Sequence, residues 1–368
     1  MIKLLISWLE LEKLDLGVLR LLNYLTVRAL LGMATALFLS LMLGFRFIVF
    51  AYDHNLKDNS GDFLSLSAHS KRGTPTAGGV LVLITTLVAV GFFGDFDNAY
   101  FWPVVAGFSY LSCVGFADDV LKARFKSSLS GLSQLGKTLL LLLFIVPFAC
   151  YLVSEWSPIP VTQRTLLYLP FHKAPWLDLG TGGYVIFAVF AIFSIVNAVN
   201  ITDGMDGLLC GTSSLTLGVY VIFAYILGNS VFSSYLLFPY MAGAGEMAVI
   251  GGALMGAILG FMWFNAYPAE IFMGDTGALG IGGVIAMLAF LTKQELLFVI
   301  VGGVFVFEIL TSLVQQKIGN RLGRRMLTRA PFHHAMSHRG IPEPKVVVRF
   351  WIVSLILASI GILSLKVR

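Results

Sequence analysis

Apolar residues run through this chain in long blocks rather than in the alternating or stripe-like patterns of soluble domains. Ten blocks approach the length of about 20 residues that an α-helix needs to cross a bilayer. They predict helices over 28–51, 76–93, 101–120, 137–154, 184–199, 207–228, 247–266, 277–292, 296–316 and 346–365. The expected fold class is therefore all-α, a polytopic membrane protein with one transmembrane domain spanning 1–368. The first 27 residues mix Lys3, Glu10, Glu12, Lys13, Asp15 and Arg20 with leucines and have no small-residue cleavage site, so they predict an interfacial helix rather than a removed signal.

Polar segments between the blocks fall into two sets. Loops 52–75, 121–137 and 317–345 together hold fourteen Lys and Arg, whereas those at 94–100, 155–183, 229–246 and 293–295 hold three. The positive-inside rule makes the first set, including the basic loop 317–345, cytoplasmic, and an even number of spans then places both termini outside. Composition agrees: 57% of residues are hydrophobic and 12% charged, against about 25% charged in soluble domains. Cys113, Cys150 and Cys210 lie singly in apolar segments without metal-ligand spacing and read as small packing residues. The glycines of GGALMGAILG, Gly251 to Gly260, predict close helix packing.

Candidate chemistry lies where carboxylates are most costly. Asp118 and Asp119 in GFADD, Asp203 and Asp206 in NITDGMD, and Asp275 in FMGDTG all fall at expected cytoplasmic ends of apolar helices. Acids gathered at one face of a basic protein suit Mg2+ and a phosphate-bearing substrate. Adjacent on a helix, Asp118 and Asp119 point about 100 degrees apart and can serve two partners. Lys122 and Lys137, close to helix ends, suit phosphate, as do Lys71 and Arg72 in HSKRGTPTAGG, where Thr76 opens the second span. Asn197, Asn200, Thr202, Asp203 and Asp206 form a polar run that Gly204 and Gly207 break, which allows close backbone approach to a ligand. His333, His334 and His338 in HHAMSH lack the set expected of zinc and are read as acid, base or phosphate donors. No GxxxxGK[ST] or GxGxxG fingerprint occurs, so a nucleotide must be held in another way.

These stretches carry a resemblance. SKRGTPTAGG, GFADD with Lys122, NITDGMDGL, FMGDTG and APFHHAMSHRGIPEPKVVVRFW, in this order from about Ser67 to Trp351, closely resemble the phospho-N-acetylmuramoyl-pentapeptide transferases, a family of polyprenyl-phosphate N-acetylhexosamine-1-phosphate transferases. The resemblance implies transfer of phospho-MurNAc-pentapeptide from UDP-MurNAc-pentapeptide to undecaprenyl phosphate, giving lipid I and UMP in the first membrane step of peptidoglycan synthesis. It implies Mg2+ held by Asp275, and Asp118 and Asp119 acting on the lipid phosphate, one as base or as nucleophile. It further places Asn200, Asp203, Gly204, Met205, Asp206, Lys71 and Gln315 near the nucleotide, with Phe272 stacking on uracil. His333 and His334 match the first two members of a family His-His-His motif whose third position is Ala335 here. The implied setting is the bacterial cytoplasmic membrane, with membrane lipids as surroundings, a homodimer, and no nucleic acid. Two other readings share these residues in part: a sibling enzyme that transfers GlcNAc-1-phosphate, and an ion-coupled transporter, which would want carboxylates at the midplane rather than at one face.

Overall fold

The computed structural model describes residues 19–54, 56–57, 73–125, 131–319, 321 and 327–367. The expected interfacial helix lies mostly outside these residues, as do Lys71 and Arg72; the described part of that segment includes a 3-10 turn at Leu19–Asn23. The chain then forms α1 (Leu25–Asp53), α2 (Gly79–Phe93), α3 (Phe101–Phe125), α4 (Gln134–Val153), α5 (Gly180–Thr202), α6 (Leu208–Leu227), a short α7 (Ser230–Tyr235), α8 (Glu246–Asn265), α9 (Gly274–Leu291), α10 (Phe298–Val301), α11 (Gly303–Leu313), α12 (Phe332–His338) and α13 (Glu343–Leu363). Among the described residues eight helices, α1, α3, α4, α5, α6, α8, α9 and α13, are long and apolar enough to cross a membrane. The protein is an all-α polytopic membrane protein.

Each of the ten expected segments coincides with helix. The ninth is interrupted: α10 stops at Val301, Gly302 intervenes, and α11 passes into a π turn over Val314–Gly319. A two-stranded antiparallel hairpin also appears, β1 (Leu166–Tyr168) with β2 (Pro175–Asp178), in the loop that follows α4.

α8 and α9 form the centre. α8 packs against α1, α6 and α2, and α9 against α3, α5 and α2. Every residue of α9 from Thr276 to Leu291 is buried. Gly256 shows why α1 can lie so near α8: a Cβ there would stand 2.0 Å from the Met33 carbonyl oxygen, so the expected glycine packing is present. Of the three cysteines only Cys210 is buried; Cys113 and Cys150 lie on exposed helix faces rather than in the core.

At the end of the bundle away from the aspartates, buried charges are paired. Arg28 donates to both oxygens of Glu246, at 3.0 and 2.9 Å, and the Asp95 amide donates to the same carboxylate at 2.7 Å. Lys293 meets Tyr184 at 2.7 Å and Glu295 at 2.8 Å. Such pairs offset the desolvation of their charges through short charge-assisted bonds.

Candidate active site

Three separated segments meet at one end of α9. Its first residue, Gly274, has φ +73, and a Cβ there would lie 2.6 Å from an Asp119 oxygen and 3.0 Å from Thr76 Oγ1. That left-handed turn lets the chain enter α9 with Asp275 facing α3. α3 reaches equally close, since a Cβ on Gly115 would stand 2.1 Å from the Asp275 carbonyl oxygen. The loop after α5 closes the third side, where the Gly274 amide donates to the Asp203 carboxylate.

Asp118 and Asp275 come together around two cations. Lys122 Nζ lies 2.7 Å from Asp118 Oδ2 and 2.7 Å from Asp275 Oδ2. Lys137 Nζ lies 2.8 Å from the same Asp275 oxygen and 3.5 Å from Asp118 Oδ2. Asn200, oriented with its amide oxygen toward Lys137 at 3.2 Å, donates to Asp275 Oδ1 at 2.8 Å. The other Asp118 oxygen accepts from the Leu132 amide at 2.6 Å. Two carboxylates thus share two ammonium groups in a partly open recess, an arrangement that can bind anionic phosphate once the lysines turn outward.

Asp119 faces elsewhere. Its oxygens accept from the amides of Asp275 and Thr276, each at 3.0 Å, and from Thr276 Oγ1 at 2.6 Å. This satisfies amides of the first turn of α9 that would otherwise lack partners.

Asp203 lies beside Asp275, Asp119 and Asp206. Burial and the repulsion of those carboxylates push its carboxyl up to about 8, against the pull of the Gly274 amide. Asp206 is buried, accepting from the Ala269 amide at 3.1 Å, while its own amide donates to Glu343 at 2.9 Å. Met205 packs with Leu208, Val304, Val346, Val347 and Phe350, anchoring the loop to α13. Asn265 binds the same loop from α8, accepting from the Gly207 amide at 3.0 Å and donating to the Ile271 carbonyl at 2.8 Å.

The other expected residues spread around this centre. Phe272 lies partly exposed just before α9, where its amide donates to the Pro75 carbonyl at 2.9 Å. Gln315 accepts from the Leu327 amide at 3.0 Å, tying the π turn to the last loop. His334 is exposed, while His333 is wholly buried and bonded to Glu308. Sequence reasoning passed over Glu308, although an acid inside an apolar block was a signal of the kind that picked out the aspartates.

A family model described as glycosyl transferase family 4 matches residues 101–293. Three curated relatives are named phospho-N-acetylmuramoyl-pentapeptide-transferase. That of Vesicomyosocius okutanii subsp. Calyptogena okutanii is 43% identical, the match covering 94% of this chain and 95% of the relative. Those of Desulfovibrio desulfuricans and Geobacter sp. (strain M21) are 41% and 40% identical, with 94% and 95% coverage in each case.

Proposed function

The chain belongs to the phospho-N-acetylmuramoyl-pentapeptide-transferase family, and from that premise we propose that the transfer takes place where Asp118, Asp275, Lys122 and Lys137 converge. The protein is a transferase that passes phospho-N-acetylmuramoyl-pentapeptide to a polyprenyl phosphate; the proposed donor and acceptor are UDP-MurNAc-pentapeptide and undecaprenyl phosphate, giving lipid I and UMP. The observation that carries the site is the sharing of both lysines by carboxylates from two different helices.

The acceptor phosphate is largely ionised near neutral pH and attacks the phosphorus attached to the sugar; the bond to the UMP oxygen breaks and UMP leaves. Lys122 and Lys137 stabilise the negative charge that develops. Asp118 takes the remaining proton of the acceptor. Asp119 positions Asp275, because all its described bonds go to the first turn of α9. Asp203, Gly204, Met205, Asp206 and Asn200 form the nucleotide wall, with Phe272, Thr76, Gln315 and His334 around it; Lys71, outside the described residues, is assigned to it by the resemblance alone.

Oxygen donors on a carboxylate pair suit Mg2+. Among the described residues no three His, Cys, Asp or Glu form a closed metal cage, and Mg2+ is commonly held by one or two carboxylates together with substrate phosphates. Asp275 would hold it. When bound, the ion supplies positive charge to the pyrophosphate oxygens.

The orientation that fits has ten spans, both termini outside and the site at the cytoplasmic face of the bacterial inner membrane, in one domain that pairs as a homodimer. Lipid-dependent UMP release from UDP-MurNAc-pentapeptide with Mg2+, and none from UDP-GlcNAc, is the expected result with purified protein. Release from UDP-GlcNAc alone would move the reading to the sibling reaction.

A further inference from the structure

Glu308 lies in α11 among apolar neighbours, is wholly buried, and has no part in the reaction described above. Both of its oxygens turn to one residue. Oε1 accepts from the His333 amide at 3.2 Å and Oε2 pairs with His333 Nδ1 at 3.1 Å. A carboxylate in that position fixes both the ring's tautomer and its orientation, holding the proton on Nδ1 and turning Nε2 to the other side.

On that other side stands Gly204. A Cβ at residue 204 would lie 2.2 Å from His333 Nε2 and 2.9 Å from Cε1. The imidazole therefore lies flush against the backbone of the NITDGMD loop, and Nε2 is buried there without a hydrogen-bond partner. The residue before Gly204 is Asp203, whose carboxylate receives the amide of Gly274, and Gly274 precedes Asp275. His334 turns outward, with its ring centroid 4.3 Å from that of His333. The two adjacent histidines thus face different surroundings.

We propose that Glu308 is a positioning residue for donor binding: through His333 it sets the height of the Asp203–Gly204 loop, the proposed nucleotide wall. The proposal rests on the assignment of donor and reaction to this recess. His333 is then a brace behind the nucleotide wall rather than a group that touches the reacting phosphates. Gly204 is required because any side chain would displace the brace.

The isosteric Glu308→Gln tests this. An amide offers one oxygen to two donors, so one bond to His333 is lost or the ring's tautomer inverts, while packing is kept. Steady-state kinetics with UDP-MurNAc-pentapeptide should show donor KM raised by about tenfold, as for loss of one hydrogen bond to a charged group, with kcat changed far less. Gly204→Ala should do the same from the opposite side of the ring. Neither change should add to the effect of His333→Ala, which removes the link itself. An unchanged KM in Glu308→Gln, or a loss confined to kcat, would overturn the proposal. So would additivity with His333→Ala, or complete inactivity of His333→Ala beside an active Glu308→Gln. Wild-type protein assayed in parallel separates the two levels: if it forms no lipid product, the assigned reaction fails, whereas a normal wild type with an unaltered Glu308→Gln removes the brace alone.

Discussion

Asp119 caps the helix that carries Asp275. Three donors of the first α9 turn, the Asp275 and Thr276 amides and Thr276 Oγ1, point at one carboxylate from α3. A negative charge at a helix N-terminus is favoured by the helix dipole as well as by the bonds themselves. Neighbouring Asp118, one residue earlier, turns to the two lysines instead. The adjacent acids of GFADD therefore divide between capping α9 and pairing with the lysines of the proposed site.

That division predicts two phenotypes. Asp119→Ala should lower stability by about 1–2 kcal/mol, the usual loss for a helix cap, with reduced turnover. Asp118→Asn should keep its melting temperature and lose turnover by about 100-fold or more, as for removal of a proton acceptor. Thermal melting and UMP release on the same preparations check both, and equal melting losses in the two variants would refute the division.

Asp275→Asn should abolish turnover in a protein that still folds. The amide is a poor ligand for a hard cation and no longer draws Lys122 and Lys137 together. UMP release at several Mg2+ concentrations tests this, and normal activity would remove Asp275 from the site.

Stability without metal should depend on Asp203. Its carboxyl, raised from 3.8 to about 8 in the folded protein, keeps its proton over a range in which the unfolded chain has already lost it. The folded state then binds more protons, so stability falls as pH rises from about 4 to about 8 and levels off above. Melting curves in chelator across that range should show the decline, and Asp203→Asn should lessen it.

At the far end, Arg28→Met should destabilise by about 3–5 kcal/mol, because Glu246 is left charged and buried. The double variant Arg28→Met, Glu246→Gln should recover much of the loss. Chemical or thermal unfolding in detergent checks the pair, and equal losses in the single and double variants would contradict a buried ionic origin.

Much of this was legible in the chain. Apolar blocks located the helices, since backbone groups in lipid must bond within their own segment. The rarity of acids in such blocks located Asp118, Asp203 and Asp275 together. The hairpin at Leu166–Tyr168 and Pro175–Asp178 was not legible, being short and interrupted by Pro170. Nor was the break at Gly302, because a lone glycine in an apolar block fits close packing as well as a break. Asp119 looked like Asp118 because adjacency shows that two residues diverge, without showing what each one meets. Glu308 escaped because its partner, His333, lies 25 residues away and only the fold brings them together.

The complete burial of α9 has a mechanical consequence. Asp275 stands at the tip of a shaft that other helices sheathe along its length from Thr276 to Leu291. Changes in bilayer thickness, tension or lipid composition press first on the outer helices, which can tilt or slide while the shaft keeps its seat. The seat of Asp275 is thereby fixed by protein contacts and not by the lipid around the bundle.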